Sequence, residues 1–352
     1  MQSTFRFGSV EVYLGEKSGK YPDGNQVIVQ GGDTRVAFDT PVVANRIGPA
    51  FDDVELVILG HVHEDHMAGL HRVPKAKVHV HEADLQAARS WDGLGKHYGY
   101  APSTLAELKA MIERDFHYRP RPDATPYADR HAWDLGGGVR VRAHHLPGHT
   151  SGHCALVVEN EGIAFIGDID LSGFGPYYGD ATSDLAAFRR SLAAVATLDA
   201  RVWITSHHRG VLTDRARFLE DLARFAAKID ERSEKLMGYL REGPQTLEAL
   251  VERRLMYPPG HAAVFVEDAE RNTIRRHLAE LMDSGRVRLA GDRGGHRRAS
   301  RPRRPRLGRS GPGASHGRRG RRQRRDRLGR ADLRRRHRHG LRRRRRRRQH
   351  AD

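Results

Sequence analysis

The sequence predicts an α+β fold in which short strands and helices interleave, followed by a smaller helical module. Three observations carry that prediction. Residues 5–58 alternate short apolar runs with turn-forming residues, the pattern of successive strands. Strand-like runs return between residues 139 and 206 with a helical stretch among them. From about residue 231 the apolar spacing becomes that of helices.

Taken in order, "VEVYLG", the turn "YPDGN", "QVIVQ", "GGDTRVAFDT" and "VELVILG" give the strand-rich opening. Helical patterning follows at 82–90 and 103–114, then a Pro- and Arg-rich surface loop at 119–126. Strands are expected at 139–146, 154–160, 163–168 and 202–206. Leu185, Phe188, Leu192 and Val195 mark one face of a helix between the last two. Strand and helix do not take strict turns, so an all-parallel sheet is not expected. Beyond 231, Leu247, Leu250, Val251 and Leu255 recur at helical spacing, as do Ile274, Leu278, Leu281 and Met282, and Gly285 is a helix stop. "RVRLAG" then reads as a short strand. Three helices and a strand resemble a winged-helix module; a helical cap on the main domain is the other reading. The expected organisation is a main domain over 1–225, the winged-helix-like module over 231–290, and a tail over 291–352.

The tail decides how the charge is read. Residues 291–352 hold 27 Arg, 4 Asp and no Lys or Glu, so they carry +23 of a net +18 and leave residues 1–290 at −5. The tail has no Val, Ile, Met, Phe, Tyr or Trp. With so little to bury against the entropy of ordering, it is expected to be disordered. An Arg-only basic segment rich in Gly, Pro and His is what a GC-rich gene yields out of frame; the functional alternative is an arm that binds phosphates. Cys154, the single cysteine, excludes an intrachain disulfide and a Cys-rich metal site. The N-terminus shows no signal-like pattern and no run approaches eighteen apolar residues, so a cytoplasmic protein with no membrane association is expected.

The stretch "GHVHEDHMAGL" (60–70) sets three histidines and two carboxylates on a loop leaving the strand "VELVILG". His61 and His63, two apart, can converge on one cation, while Asp65 and His66 can turn to a second nearby. Imidazole and carboxylate together suit a borderline metal such as zinc. Other strand ends supply more ligands: His149 in "LPGHTSGH", Asp168 in "FIGDID" and His207 in "ITSHH". The expected centre is dinuclear, with His61, His63 and His149 on one cation, Asp65, His66 and His207 on the other, and Asp168 bridging. Zinc is the first choice of metal, manganese or iron the alternatives.

These motifs together resemble the metallo-β-lactamase-fold hydrolase superfamily. "HVHEDH" looks like its H-x-H-x-D-H signature, "PGHTSGH" its third-ligand loop, "GDID" its bridging aspartate, "SHH" its terminal histidine and "VAFDT" its first motif. The resemblance covers about residues 5–215. It implies an αββα sandwich, with Asp39 orienting the metal loop from outside the ligand set. It is also similar to the lactamase-like group with a C-terminal winged helix.

Hydrolysis by a hydroxide that the two cations activate is the chemistry expected, on an ester, thioester or phosphodiester. Asp65 would position that hydroxide and accept a proton, and Asp168 would hold the cations at their spacing. His153 is read as supporting the centre rather than ligating, and His153 or His208 as a contributor to leaving-group protonation. "GFGPYYGDATSD" should overhang the centre, with Tyr177 and Tyr178 stacking on or bonding to substrate; packing is the other role open to them. "WDGLGKHYGYAPST" would form the opposite wall. Glu64 is expected to point away into solvent, Cys154 to pack, and His79, His81, His97, His117, His144 and His145 to lie on the surface or pack. The partners expected are a small ester or thioester, or single-stranded RNA, and a homodimer is admitted. The rival from another class is a nucleic-acid-binding protein or endoribonuclease acting through the winged-helix-like module and the basic tail.

Overall fold

Thirteen strands form two mixed sheets in the computed structural model, which describes residues 3–290. The first sheet has the order β1 (Thr4–Phe7), β2 (Val10–Tyr13), β3 (Gln26–Gln30), β4 (Arg35–Phe38), β5 (Leu56–Leu59), β6 (Lys77–His81) and β7 (Thr125–Tyr127). Its first four strands pair antiparallel, and β4 to β7 run parallel. The second sheet runs β13 (Val211–Leu212), β12 (Val202–Ile204), β11 (Ile163–Phe165), β10 (Cys154–Val158), β9 (Arg140–His145) and β8 (Ala132–Asp134). Only β11 and β12 are parallel there.

Why the strands read as unbroken apolar runs follows from their burial on both faces. In β4 and β5, Val36, Phe38, Leu56 and Ile58 point into the core between the sheets and meet Val141, Leu156, Phe165 and Ile204 of the second sheet. Their neighbours Ala37, Val57 and Leu59 point outward, under the helices α1 (Leu85–Arg89), α2 (Trp91–Tyr98) and α3 (Pro102–Asp115). The outer face of the second sheet, with Val157, Ala164 and Trp203, is covered by α4 (Leu185–Val195) and α5 (Arg215–Arg241). Trp203 stacks on Phe218 of α5 at 4.4 Å and 7°. The layers are therefore helix, sheet, sheet, helix, the expected αββα sandwich.

Helix α5 runs unbroken through residues 225–231. Its first half buries Phe218, Leu222, Phe225 and Ile229 on the second sheet, and Leu236 joins a separate cluster with Leu250, Val251, Ile274 and Leu281 of α6 (Leu247–Arg253) and α7 (Val266–Asp283). One expectation is corrected here. Residues 286–290 of the expected strand form no strand, and no strand follows β13 among the described residues, so the C-terminal module there is helical without a wing. Arg286 and Val287 instead donate their amides back to the Leu281 carbonyl, closing α7 after Gly285 (φ 70°). The expectations for 291–352 lie outside the described residues. No described helix is long and apolar enough to cross a membrane.

Candidate metal centre

Because β4, β5, β11 and β12 each lie in a parallel pair, their C-terminal ends open at the sandwich edge where polar loops can meet. The loop after β5 begins at Gly60, whose amide donates to Asp39 Oδ1 at 2.6 Å. It then winds through a short 3-10 turn, Glu64–Met67, with all four residues buried. Two glycines bring the other loops in. Gly148 sits at φ 136°, where a Cβ would lie 2.3 Å from Phe188 Cα, and Gly167 sits at φ 57°, where a Cβ would lie 2.6 Å from His153 Nε2.

The seven expected ligands converge in two groups. His61 Nε2, His63 Nδ1 and His149 Nε2 form a triangle with edges of 3.2, 3.1 and 3.2 Å. Nitrogens about 2.0 Å from a tetrahedral zinc would stand at much this spacing. Asp168 Oδ2 completes the group, 3.3 Å from His149 Nε2 and 3.9 Å from His61 Nε2. In the second group His207 Nε2 lies 3.1 Å from Asp65 Oδ2, and His66 Nε2 lies 3.6 Å from the same oxygen. Asp168 Oδ1 faces that group, 3.1 Å from His66 Nε2 and 3.5 Å from His207 Nε2. One carboxylate thus turns an oxygen to each group. His66 Nε2 and Asp168 Oδ1 are buried and face each other at 3.1 Å, but neither makes a well-directed hydrogen bond among the described residues. Buried polar atoms left so are costly, and borderline cations are what this donor set fits.

The opposite ring nitrogens of His66, His149 and His207 are held in turn, while His61 Nδ1 is buried with no hydrogen-bond partner among the described residues. His66 Nδ1 meets Asp39 Oδ2 at 2.7 Å, His149 Nδ1 donates to the Tyr177 carbonyl at 2.9 Å, and His207 Nδ1 donates to the Gly19 carbonyl at 2.8 Å. Asp39 sits at φ 52° at the end of β4, between the Gly60 amide and the His66 ring. His153 stands outside the ligand groups. Its Nδ1 donates to the Leu146 carbonyl, and its Nε2 accepts the Asp168 amide at 3.2 Å. Burial, then His149, pulls its pKa down to about 3, keeping the neutral ring this acceptor role needs.

Charge in the centre is balanced by histidine and carboxylate alone. Burial disfavours the charged form of Asp168, but His207, His66 and His61 outweigh it and hold its pKa well below the usual carboxylate range. Burial likewise pulls His66 down, and Asp65, Asp168 and Asp39 raise it well above the ordinary imidazole value. Among the described residues no Lys or Arg forms an ion pair with Asp39, Glu64, Asp65 or Asp168.

Some residues stand elsewhere than expected. Glu64 is 7% exposed rather than solvated, because Tyr98 and Tyr21 donate their hydroxyls to it at 2.5 and 3.0 Å. Tyr178 is fully buried, its hydroxyl bonded to Arg232 and His277, so it packs and does not face substrate. Tyr177 does overhang the centre, its ring 5.8 Å from that of His149 and 6.3 Å from that of His63. His208 turns toward Asp170, 3.6 Å away, and not toward the ligand groups. From the 91–104 stretch, Tyr98 stacks on His63 at 5.8 Å and 6°. Cys154 is buried and packs between the sheets, and burial pushes its thiol far above the ordinary value.

Sequence reasoning missed Asp84 and Asp180. Asp84 accepts the Val62 and Gly152 amides and the Thr150 hydroxyl, joining the His61 loop to the His149 loop. Asp180 Oδ2 lies 2.7 Å from His63 Nε2. The available signal was an acidic residue just beyond a strand end for Asp84, and one inside the overhanging loop for Asp180.

Comparison with known proteins agrees with the geometry. Residues 25–207 match the family model described as the metallo-beta-lactamase superfamily. An atrochrysone carboxyl ACP thioesterase of Pseudocercospora fijiensis is 26% identical over 204 residues, 56% of each chain. The chain thus spans little more than half the length of that curated relative. A crystal structure of a metallo-beta-lactamase family protein from Thermus thermophilus superposes with a TM-score of 0.57 at 26% identity, covering 76% of this chain and 91% of that one. A beta-lactamase domain protein from Burkholderia ambifaria has the same TM-score at 19% identity, covering 82% and 92%, and shares the fold.

Proposed function

This chain belongs to the metallo-beta-lactamase superfamily, and from that premise we propose that it is a metal-dependent hydrolase of thioesters or esters with a dinuclear centre. The observation that carries the substrate class is the mostly apolar cavity between α2 and α3, whose Tyr98 also stacks on His63 at the centre and whose lining suits an acyl group. The relative named a thioesterase points to the same bond.

His61, His63 and His149 would hold one cation, Asp65, His66 and His207 the other, and Asp168 both, with zinc the first choice of metal. When bound, such a pair supplies Lewis acidity: polarisation of a carbonyl and acidification of water to a pKa of about 7. Asp65, with its Oδ2 already turned to His207, positions the attacking water and takes its proton. Asp168 fixes the separation of the two ligand groups. The overhanging Tyr177 and the wall of Tyr98 and Tyr100 exclude water from one side of the carbonyl. A mostly apolar cavity of about 620 Å³ between α2 and α3, lined by Trp91, Leu94, Tyr98, Tyr100, Leu108 and Ile112, shares Tyr98 with that wall and suits the acyl part of the substrate.

The test combines zinc content of the full chain with turnover of a thioester and of single-stranded RNA, using Asp168→Ala as control. About two zinc per chain and thioester turnover lost in the variant are expected. RNA cleavage without thioester turnover would transfer the reading to the endoribonuclease alternative, and no metal with no turnover would end it.

A further inference from the structure

We propose that Asp180 orients His63 within the metal centre and that helix α7 holds Asp180 in place, which makes the C-terminal helices a structural part of that centre. The proposal rests on the reading of His63 as a ligand. His63 turns Nδ1 to His61 and His149, so Nε2 is its other ring nitrogen, and that atom lies 2.7 Å from Asp180 Oδ2. An N–H given to a carboxylate on the far side of a ring leaves the near nitrogen with a free lone pair and fixes the ring's rotation. The rings of His66, His149 and His207 are each held in this way by Asp39 or a backbone carbonyl. Asp180 supplies the missing partner for His63.

The carboxylate is built in rather than incidental. It is fully buried, and its Oδ1 accepts the hydroxyls of Tyr100 at 2.6 Å and Tyr177 at 3.2 Å. Three donors offset the cost of burying a charge that would otherwise disfavour it.

Its backbone is clamped from α7. The Arg276 guanidinium donates to the Asp180 carbonyl, and its Nε to the Ser183 carbonyl at 2.9 Å. Asn272 Nδ2 donates to the Gly179 carbonyl at 2.9 Å. Asn272 and Arg276 are four apart and so share one face of the helix. Ala269 lies on that face too, close enough that a Cβ at Gly179 would stand 2.8 Å from its own. The same segment reaches the next ligand, since Ser183 Oγ donates to the His149 carbonyl at 2.6 Å. Helix α7 therefore fixes, at one remove, two of the three histidines in the first group.

Zinc affinity, measured on the full chain by competition with a chromophoric chelator, tests this directly, with the visible spectrum of the cobalt-loaded protein reporting ligand geometry. Asp180→Ala is expected to weaken one of the two zinc sites by about 10- to 100-fold and leave the other near wild type. Asp180→Asn, whose amide oxygen can accept the same N–H, should recover part of that loss. Arg276→Ala, remote from the cations, should weaken the same site by a smaller factor and shift the cobalt spectrum in the same direction. If Asp180→Ala fails to fold, the Asn and Arg276 variants decide. Two zinc sites of unchanged affinity in the folded variants would overturn the role of Asp180 alone. A wild-type chain that takes up no zinc would overturn the ligand reading together with it.

Discussion

Asp39 shows how much a single side chain beside the centre is asked to do. One carboxylate oxygen takes the Gly60 amide and the other the His66 ring, from a backbone position at φ 52°. Asp39→Ala is expected to lower zinc affinity by about 10- to 100-fold and, through the stranded Gly60 amide, to cost about 1–3 kcal/mol in stability. Chelator competition and urea unfolding measure the two separately. Asp39 entered only through the resemblance of "VAFDT" to the superfamily's first motif, whereas the cluster from His61 to His66 was legible from its spacing on one loop. Asp180 was not: its partner His63 is 117 residues away, and nothing local to "YYGDAT" distinguishes its carboxylate from a solvated one. Glu64 failed for the same reason, since the two tyrosines that bury it come from residues 21 and 98.

Helix α7 offers a titration that belongs to an element. His277 is buried between the Tyr178 hydroxyl, 3.0 Å from Nε2, and the Ser233 hydroxyl, 2.9 Å from Nδ1. Burial first, then Arg232 and Arg189, pulls its pKa down to about 3. An unfolded His takes up its proton near about 6.5. Between those values the unfolded chain binds the extra proton, so His277 contributes its full stability above about pH 6.5 and loses it as pH falls toward 3. The slope approaches about 1.4 kcal/mol per pH unit. Comparing urea midpoints at pH 7 and pH 5, His277→Gln should show a smaller drop than wild type. Helical spacing in α6 and α7 was readable in the sequence, but the continuity of α5 was not. Its apolar face changes partner midway, from the second sheet at Ile229 to the C-terminal cluster at Leu236, and a change of partner leaves no mark on periodicity.

Interleaved strands and helices were legible in apolar periodicity, but their stacking as an αββα sandwich came from the family resemblance. Mixed pairing and the absence of a wing among the described residues depend on contacts that no local pattern encodes. Charge distribution adds a prediction for the entire chain. Residues 1–290 carry −5 against +23 beyond them. Any affinity the chain shows for single-stranded RNA should therefore fall steeply with salt, and a chain ending at residue 290 should lose it while keeping the thioester turnover proposed above. Filter binding across a salt series, run beside a thioester assay, checks both halves.

The two sheets contribute unequally but jointly to the centre: four of its groups leave the first sheet after β5, and His149, Asp168 and His207 leave the second. Any cation gripped by both acts as a rivet between halves of the sandwich that the chain otherwise joins only by its core and its loops. Unfolding must pull that rivet, so heat resistance becomes a gauge of the free cation. At a concentration about 100 times the dissociation constant the gain is about 2.7 kcal/mol, and a calorimetric melt with excess chelator should show the midpoint retreat by the corresponding amount.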